Sequence, residues 1–353
     1  MAESERGLGR RTFIKQCVYA GAATLLGAGT KAIDIENRQP YTIPEEILLE
    51  RISKRPDKNF LLGIYPNSLP ELQTFKKYIG GDFIAGAFAN ERTFRNEKKA
   101  KEFVDLVNSY HKEGGIPLIA IGLAESFNDL HPFDIRNEEL MTIFAEETGN
   151  FLNQFPYEVW VRPFFEPEFE SFSYGINHGL PLEDHQEGFK RSFAIMSRVI
   201  KAKRTAKTQI HFSPWVDTYP YHRFPIDGYY PGNETLDGAG GDGYDFYPGR
   251  FEPLNSHFWE GKISPEETFG DFFGKLLKKT NGQKPLYVYE SGSATDNSGW
   301  LKHAVFYAMS IPQVHGFVHF GEDKRKSKDK INWTPSLATI EMYGSVQKLI
   351  INS

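Results

Sequence analysis

From about Asn59 onward the chain repeats one pattern. A short apolar, β-branched or aromatic run is followed by a turn and then by residues at helical spacing. Eight such runs are legible: Phe60–Tyr65, Asp82–Phe88, Ile116–Gly122, Glu158–Arg162, Thr208–Pro214, Asp237–Tyr244, Pro285–Tyr289 and Val314–Phe320. Most lack the in/out alternation of a half-exposed strand, as expected of strands buried on both faces. Helices are predicted between them, including Glu97–Lys112, Glu138–Asn153, Gln186–Lys203, Gly299–Met309 and Pro335–Ile350. Ser68 with Glu71 reads as a capping box before a helix that stops at Gly80-Gly81, and Ser264-Pro265 opens another. No linker or composition break follows residue 60, so the pattern predicts a single-domain α/β fold, the (β/α)8 TIM barrel. A doubly wound sheet is the competitor. The longest irregular stretches, Pro167–Asp184, Val216–Glu234 and Phe246–Lys262, all follow strands and would gather on one face, which favours the barrel. Asp237–Tyr244 is the weakest strand by propensity, because it is rich in glycine, yet glycine also permits close approach of neighbours.

Two of these strands end in a carboxylate. In Tyr157–Glu170 the apolar run passes through Arg162 and Pro163 to Glu166, and Pro167 lacks the N–H that a continuing ladder needs. Phe164, Phe165 and Phe169 surround Glu166 in sequence and would desolvate it, which raises a carboxyl pKa toward that of a general acid. Much later, Lys284–Gly292 repeats the arrangement with Glu290. Two strand-end carboxylates are what glycoside hydrolysis requires, one to protonate the leaving oxygen and one to attack the anomeric carbon or activate water.

Composition removes several other classes. The net charge of −5 offers no basic face for nucleic acid. Phosphate-binding glycine loops and a Gly-x-Ser-x-Gly elbow are absent. His211, His222, His315 and His319 lack the spacing of a zinc site, so no metal and no cofactor is expected. The Lys324–Lys330 run reads as a solvated loop. Arg10-Arg11-Thr12-Phe13-Ile14-Lys15 and the mild apolar run after it resemble a twin-arginine export signal, assigned to residues 1–33, too short and glycine-rich for a stable membrane span. The only cysteine, Cys17, lies inside it, so no disulfide is expected in the exported chain. Residues 34–58 are assigned as an N-terminal extension and 59–353 as the barrel. The location expected is periplasmic or extracellular, and the state monomeric.

The succession Val161-Arg162-Pro163-Phe164-Phe165-Glu166, Tyr229–Asn233, Asp237–Tyr244 and Tyr289-Glu290-Ser291-Gly292 resembles glycoside hydrolase family 26 over nearly the whole chain after the signal. The resemblance implies a (β/α)8 barrel and a retaining endo-β-glycosidase, β-mannan being the leading substrate among β-linked polysaccharides and oligosaccharides. It makes Glu166 the acid/base and Glu290 the nucleophile. Arg162, Phe165, Asp242 and Tyr244 in these motifs are then expected at the substrate, with Trp215 and Trp259 stacking on sugar rings. Arg162 and the Tyr244 hydroxyl are expected to support Glu290. The chain departs from the family around the acid/base, where Phe165 replaces a usual histidine and Pro167 and Glu168 replace a methionine-asparagine pair. A polar contact to the sugar is lost there and a charge added. A non-catalytic carbohydrate-binding protein and a transglycosidase on the same barrel are the alternatives.

Overall fold

The computed structural model describes residues 42–56, 59–123, 130–167, 173–175, 179–216, 226–245, 264–293, 295–321 and 333–352. The twin-arginine stretch, Cys17, Glu168, Phe169, His222, Trp259 and the Lys324–Lys330 run lie outside these residues. Eight parallel strands close a barrel in chain order. They are β1 (Leu61–Tyr65), β2 (Phe83–Asn90), β3 (Gly115–Gly122), β4 (Val159–Pro163), β5 (Thr208–Phe212), β6 (Gly238–Asp242), β7 (Leu286–Ser291) and β8 (Val314–Phe320). Around them stand α1 (Glu45–Ser53), α2 (Leu69–Ile79), α3 (Glu91–Arg95), α4 (Glu97–Lys112), α5 (Glu138–Leu152), α6 (Leu182–Lys203), α7 (Ile226–Tyr229), α8 (Pro265–Thr280), α9 (Ser298–Met309) and α10 (Leu337–Asn352). Among the described residues, no helix is long and apolar enough to cross a membrane.

The differences from the sequence reading have local causes. β7 runs two residues beyond Tyr289, which makes Glu290 a strand residue. The assigned extension contains α1, whose Leu48 and Ile52 are its buried residues and too few to announce it in sequence. It is tied to the barrel wall. Arg55 donates to the carbonyls of Met309, Ile311, Pro312 and Val314, Lys302 pairs with Glu45, and the Ile43 N–H donates to Glu266. At α2, Ser68 accepts from the Glu71 N–H, but the Glu71 carboxylate accepts from Asn67 N–H at 2.8 Å, so the reciprocal half of the box closes one residue early. The box is complete at α8, where Ser264 and Glu267 each accept the other's N–H at 3.2 Å.

Strand residues alternate between two cores. Val159, Val161, Leu286 and Val288 face the helical layer with Phe189, Phe272 and Leu276. Tyr65, Ile84, Leu118, Trp160, Tyr287, Tyr289, Val318 and Phe320 fill the barrel interior. Large rings inside need small residues opposite. A Cβ on Gly86 would lie 2.3 Å from the Tyr65 ring, and one on Gly240 would lie 1.9 Å from the Tyr287 carbonyl oxygen. The glycines that make β6 a poor strand by propensity therefore admit the tyrosines of β7.

Alternation fails at one informative place. Gly241 pairs with Val288 but Asp242 pairs with Glu290, so Tyr289 is an extra residue, a bulge, in β7. The next pairing on the other side, Val288 to Phe317 then Ser291 to His319, carries the same extra residue. Strict alternation would send Glu290 to the helical layer after inward Tyr289. The bulge lets both side chains point into the barrel.

Gly240→Ala should destabilise the protein by about 1–3 kcal/mol, because the obstructing atom is a backbone carbonyl that cannot rotate away. Urea unfolding at neutral pH measures it, and an unchanged midpoint would show that β6 and β7 can separate freely.

Candidate active site

Arg162, the inward residue at the end of β4, is fully buried and organises the C-terminal end of the barrel. Its Nη1 donates to Tyr65 Oη at 2.6 Å and to Glu290 Oε1 at 2.9 Å. Its Nη2 donates to Ser213 Oγ at 2.6 Å and to the Asp242 carboxylate, and Ser213 Oγ in turn donates to Asp242 at 3.1 Å. The guanidinium also lies 5.0 Å from the Tyr289 ring centre and 5.5 Å from that of Phe165. Burial works against this charge, but Asp242, Tyr65 and Glu290 outweigh it and hold the pKa well above the usual arginine value.

Glu166, Asp242 and Glu290 are buried together, each with a carboxylate oxygen within 4.8 Å of the others. Burial pushes the Asp242 carboxyl well above the usual carboxylate range; Arg162 opposes this, while Glu290 and Glu166 add to it. Crowding of three buried carboxyls thus favours the protonated form of Asp242. Such a spacing would also accept a cation, but the guanidinium already contacts two of the three acids. Glu290 Oε2 accepts from the Tyr244 hydroxyl at 2.8 Å. Burial, then the charges of Glu290, Glu166 and Asp242, raise the Tyr244 pKa, so this phenol keeps its proton and remains a donor.

Glu166 reaches the site by a different route from Glu290. The chain after β4 turns through two non-glycine residues in the left-handed region, Phe164 at φ 52° and Glu166 at φ 51°. Such residues cost about 1–3 kcal/mol each and persist where surrounding contacts over-determine them. Here Phe164 N–H donates to the Ile121 carbonyl at 2.8 Å and Glu166 N–H to the Ser213 carbonyl at 2.9 Å. The turn also corrects the expected phenylalanine cage. Phe164 points away from Glu166 into the helical layer, against Phe133, Phe189 and Tyr174. Phe165 is buried against Phe88 and Arg162.

Aromatic rings border the acids. Trp215 is half-buried, pairs in the sheet with Asp242, and stacks on Tyr244 at 5.3 Å. Trp333, which the sequence reading did not single out, lies 5.1 Å from Tyr244 and touches Phe320. Tyr65 and Ser213 were likewise missed, since nothing local in sequence distinguishes them from core residues. Of the residues expected at the site, Arg162, Phe165, Glu166, Trp215, Asp242, Tyr244 and Glu290 are brought together.

Two histidines brace this arrangement. His211 Nδ1 accepts from the Tyr289 hydroxyl at 2.5 Å, and its ring stacks on Trp160. His319 donates from Nε2 to the Trp333 carbonyl at 2.9 Å and accepts from Tyr343 at Nδ1. Burial lowers their pKa values to about 3 and about 4.

Removing the buried cation should leave Asp242 and Glu290 without a counter-charge, with only the Ser213 and Tyr244 hydroxyls as donors among the described residues. Arg162→Met is therefore expected to cost about 3–5 kcal/mol in urea unfolding at pH 7. A loss below about 1 kcal/mol would show that the carboxyls do not depend on it. The histidines predict acid lability. Both are neutral when folded and titrate near 6.5 when unfolded, so their stabilisation is full above about pH 6.5 and is lost as pH falls toward 4, by about 3 kcal/mol each. His319→Gln should shrink the fall in unfolding free energy between pH 7 and 4.5; an identical pH profile would count against it.

No protein-family model and no curated protein sequence matches the chain. Solved structures do. A family 26 β-mannanase from Bacteroides ovatus is 15% identical, with 86% of this chain and 92% of that one covered and a TM-score of 0.58. A modular endo-β-1,4-mannanase from Cellulomonas fimi, also of glycoside hydrolase family 26, is 12% identical over 89% and 76% of the chains, with a TM-score of 0.55. The virulence factor SghA, solved with the substrate analogue salicin, is 8% identical over 88% and 99%, with a TM-score of 0.57. At these identities the similarity establishes a shared barrel fold, the same one the motifs of the sequence resemble.

Proposed function

We propose that the chain is a retaining endo-β-glycoside hydrolase acting on a β-linked polysaccharide, with β-mannan as the leading substrate. The observation that carries this reading is the approach of Glu166 and Glu290, at the ends of β4 and β7, to within 4.8 Å. Retaining pairs lie about 5–5.5 Å apart, whereas inverting pairs need about 6.5–9.5 Å to admit a water. In this reading a Glu290 carboxylate oxygen attacks the anomeric carbon while Glu166 gives its proton to the departing glycosidic oxygen. Glu166 then takes a proton from water, which attacks the anomeric carbon and releases Glu290. Arg162 and Tyr244 aim Glu290, and Trp215 offers its exposed face to a sugar ring. The mannanases that share the fold support mannan as the first polysaccharide to try. Residues 1–33 fit an export address, which would place a monomeric enzyme where polysaccharide is found; a reporter fused to them and starved of the twin-arginine pathway tests that part.

Reducing ends should appear when the protein is incubated with a panel of β-linked polysaccharides. Because Glu290 is paired with a buried arginine, Glu290→Ala would disturb packing, and Glu290→Gln is the cleaner nucleophile variant: it should abolish turnover with the fold intact. Glu166→Ala should slow glycan cleavage by about 10²–10⁴-fold yet spare the first step with an activated aryl glycoside, whose leaving group needs no proton. Added azide should accelerate that variant and give a glycosyl azide of retained configuration. Full activity of Glu290→Gln would refute the assigned nucleophile, and saturable glycan binding without reducing ends would mark a binding protein.

A further inference from the structure

The strained turn that delivers Glu166 is clamped from behind. Tyr174 is fully buried, and its hydroxyl donates to the Phe165 carbonyl at 2.9 Å. That carbonyl and the Glu166 N–H belong to one peptide unit, and the N–H is held by the Ser213 carbonyl at 2.9 Å. The peptide plane is therefore gripped at both ends, which sets the direction in which the Glu166 side chain leaves the backbone.

Tyr174 is itself held in place by two buried histidines from separate parts of the chain. His185, on α6, donates from Nε2 to the Tyr174 carbonyl at 2.9 Å and accepts from the Tyr229 hydroxyl at Nδ1. His131 donates from Nε2 to the next carbonyl, that of Gly175, at 3.0 Å, while its Nδ1 accepts from the Phe133 N–H. Their ring centres are 4.9 Å apart. Each ring gives one hydrogen bond, from Nε2, to consecutive carbonyls of the segment that carries Tyr174. Two buried histidines aimed at one short stretch of backbone are more than filling a core requires.

We infer that Tyr174 is a positioning residue for proton transfer, holding the Phe165–Glu166 peptide in its left-handed turn, with His185 and His131 fixing Tyr174. This rests on Glu166 being the acid/base of the proposed hydrolase. Tyr174 is fully buried with its hydroxyl bonded to the Phe165 carbonyl, so the role assigned to it is exerted through Glu166. The role follows from the hydrogen-bond chain and the strain together, since a relaxed turn would need no second grip.

Tyr174→Phe keeps the ring and removes the hydroxyl, and its melting temperature should stay close to that of the unmutated protein. Amide exchange at Glu166, followed by NMR, should quicken about tenfold, as expected when one of two restraints on a peptide is lost. The specificity constant kcat/KM should fall about tenfold on a glycan and change less than about twofold on a dinitrophenyl glycoside, because only the glycan needs its leaving group protonated. His185→Leu should move both readouts the same way, and the double variant should show little further loss. Unchanged exchange at Glu166 would overturn the clamp. Faster exchange with equal losses on both substrates would overturn its role in proton transfer. If the unmutated protein cleaves no β-glycoside at all, the hydrolase reading and the proton-transfer role fall with it, and the exchange measurement alone decides whether the clamp exists.

Discussion

A fully buried guanidinium bonded to two of three clustered carboxyls is the interaction on which the functional end of this barrel depends. An isolated arginine could not be taken out of water, and neither could Glu166, Asp242 or Glu290. Together they become tolerable, because the two terminal nitrogens of Arg162 bond Asp242 and Glu290 directly and also donate to Ser213 and Tyr65, while its Nε–H has no hydrogen-bond partner among the described residues. The four partners of Arg162 come from β1, β6, β7 and the end of β5, so a single side chain measures the barrel's diameter. Any change in that diameter breaks one of the bonds. The interior glycines serve the same end by letting Tyr65, Tyr287 and Tyr289 sit close beneath the cluster.

The two glutamates are delivered by two separate irregularities. β7 carries one extra residue, which turns Glu290 inward beside Tyr289. β4 ends in a left-handed turn at Phe164 and Glu166. Regular strands would have put neither carboxylate where it is. Both departures are stabilised by neighbours: Tyr244 and Arg162 for the bulge, and Tyr174 with Ser213 for the turn. Local strain concentrates at the groups that chemistry would use, where pre-organisation has value.

Much of the fold was legible because its elements follow strong local rules. Eight apolar runs separated by helical spacing leave few architectures other than a barrel, and β8 and α4 match their predicted bounds residue for residue. Short pieces such as α1, α3 and α7 were not legible, since one helical turn or two leaves little periodicity to read. At the site, Glu166, Glu290, Arg162 and Tyr244 stood out because charged or phenolic residues at the ends of buried strands are conspicuous. Trp333 and Tyr65 did not, because an aromatic residue in a core looks the same in sequence whether it borders a site or only fills space.

By itself the sequence determined the order of strands and helices, the turns that stop them, and the presence of acids at two strand ends, all of which depend on near neighbours along the chain. Tertiary structure alone decided the facing of those acids. Period-two alternation predicts Glu290 outside, and only the pairing of β7 with β6 and β8 reveals the extra residue that reverses it. The three phenylalanines near Glu166 in sequence suggested a common cage, yet the turn sends Phe164 outward and Phe165 inward. Register and backbone handedness are settled by contacts from residues far away in the chain, Ser213 and Tyr174 among them, and no window of sequence contains those contacts.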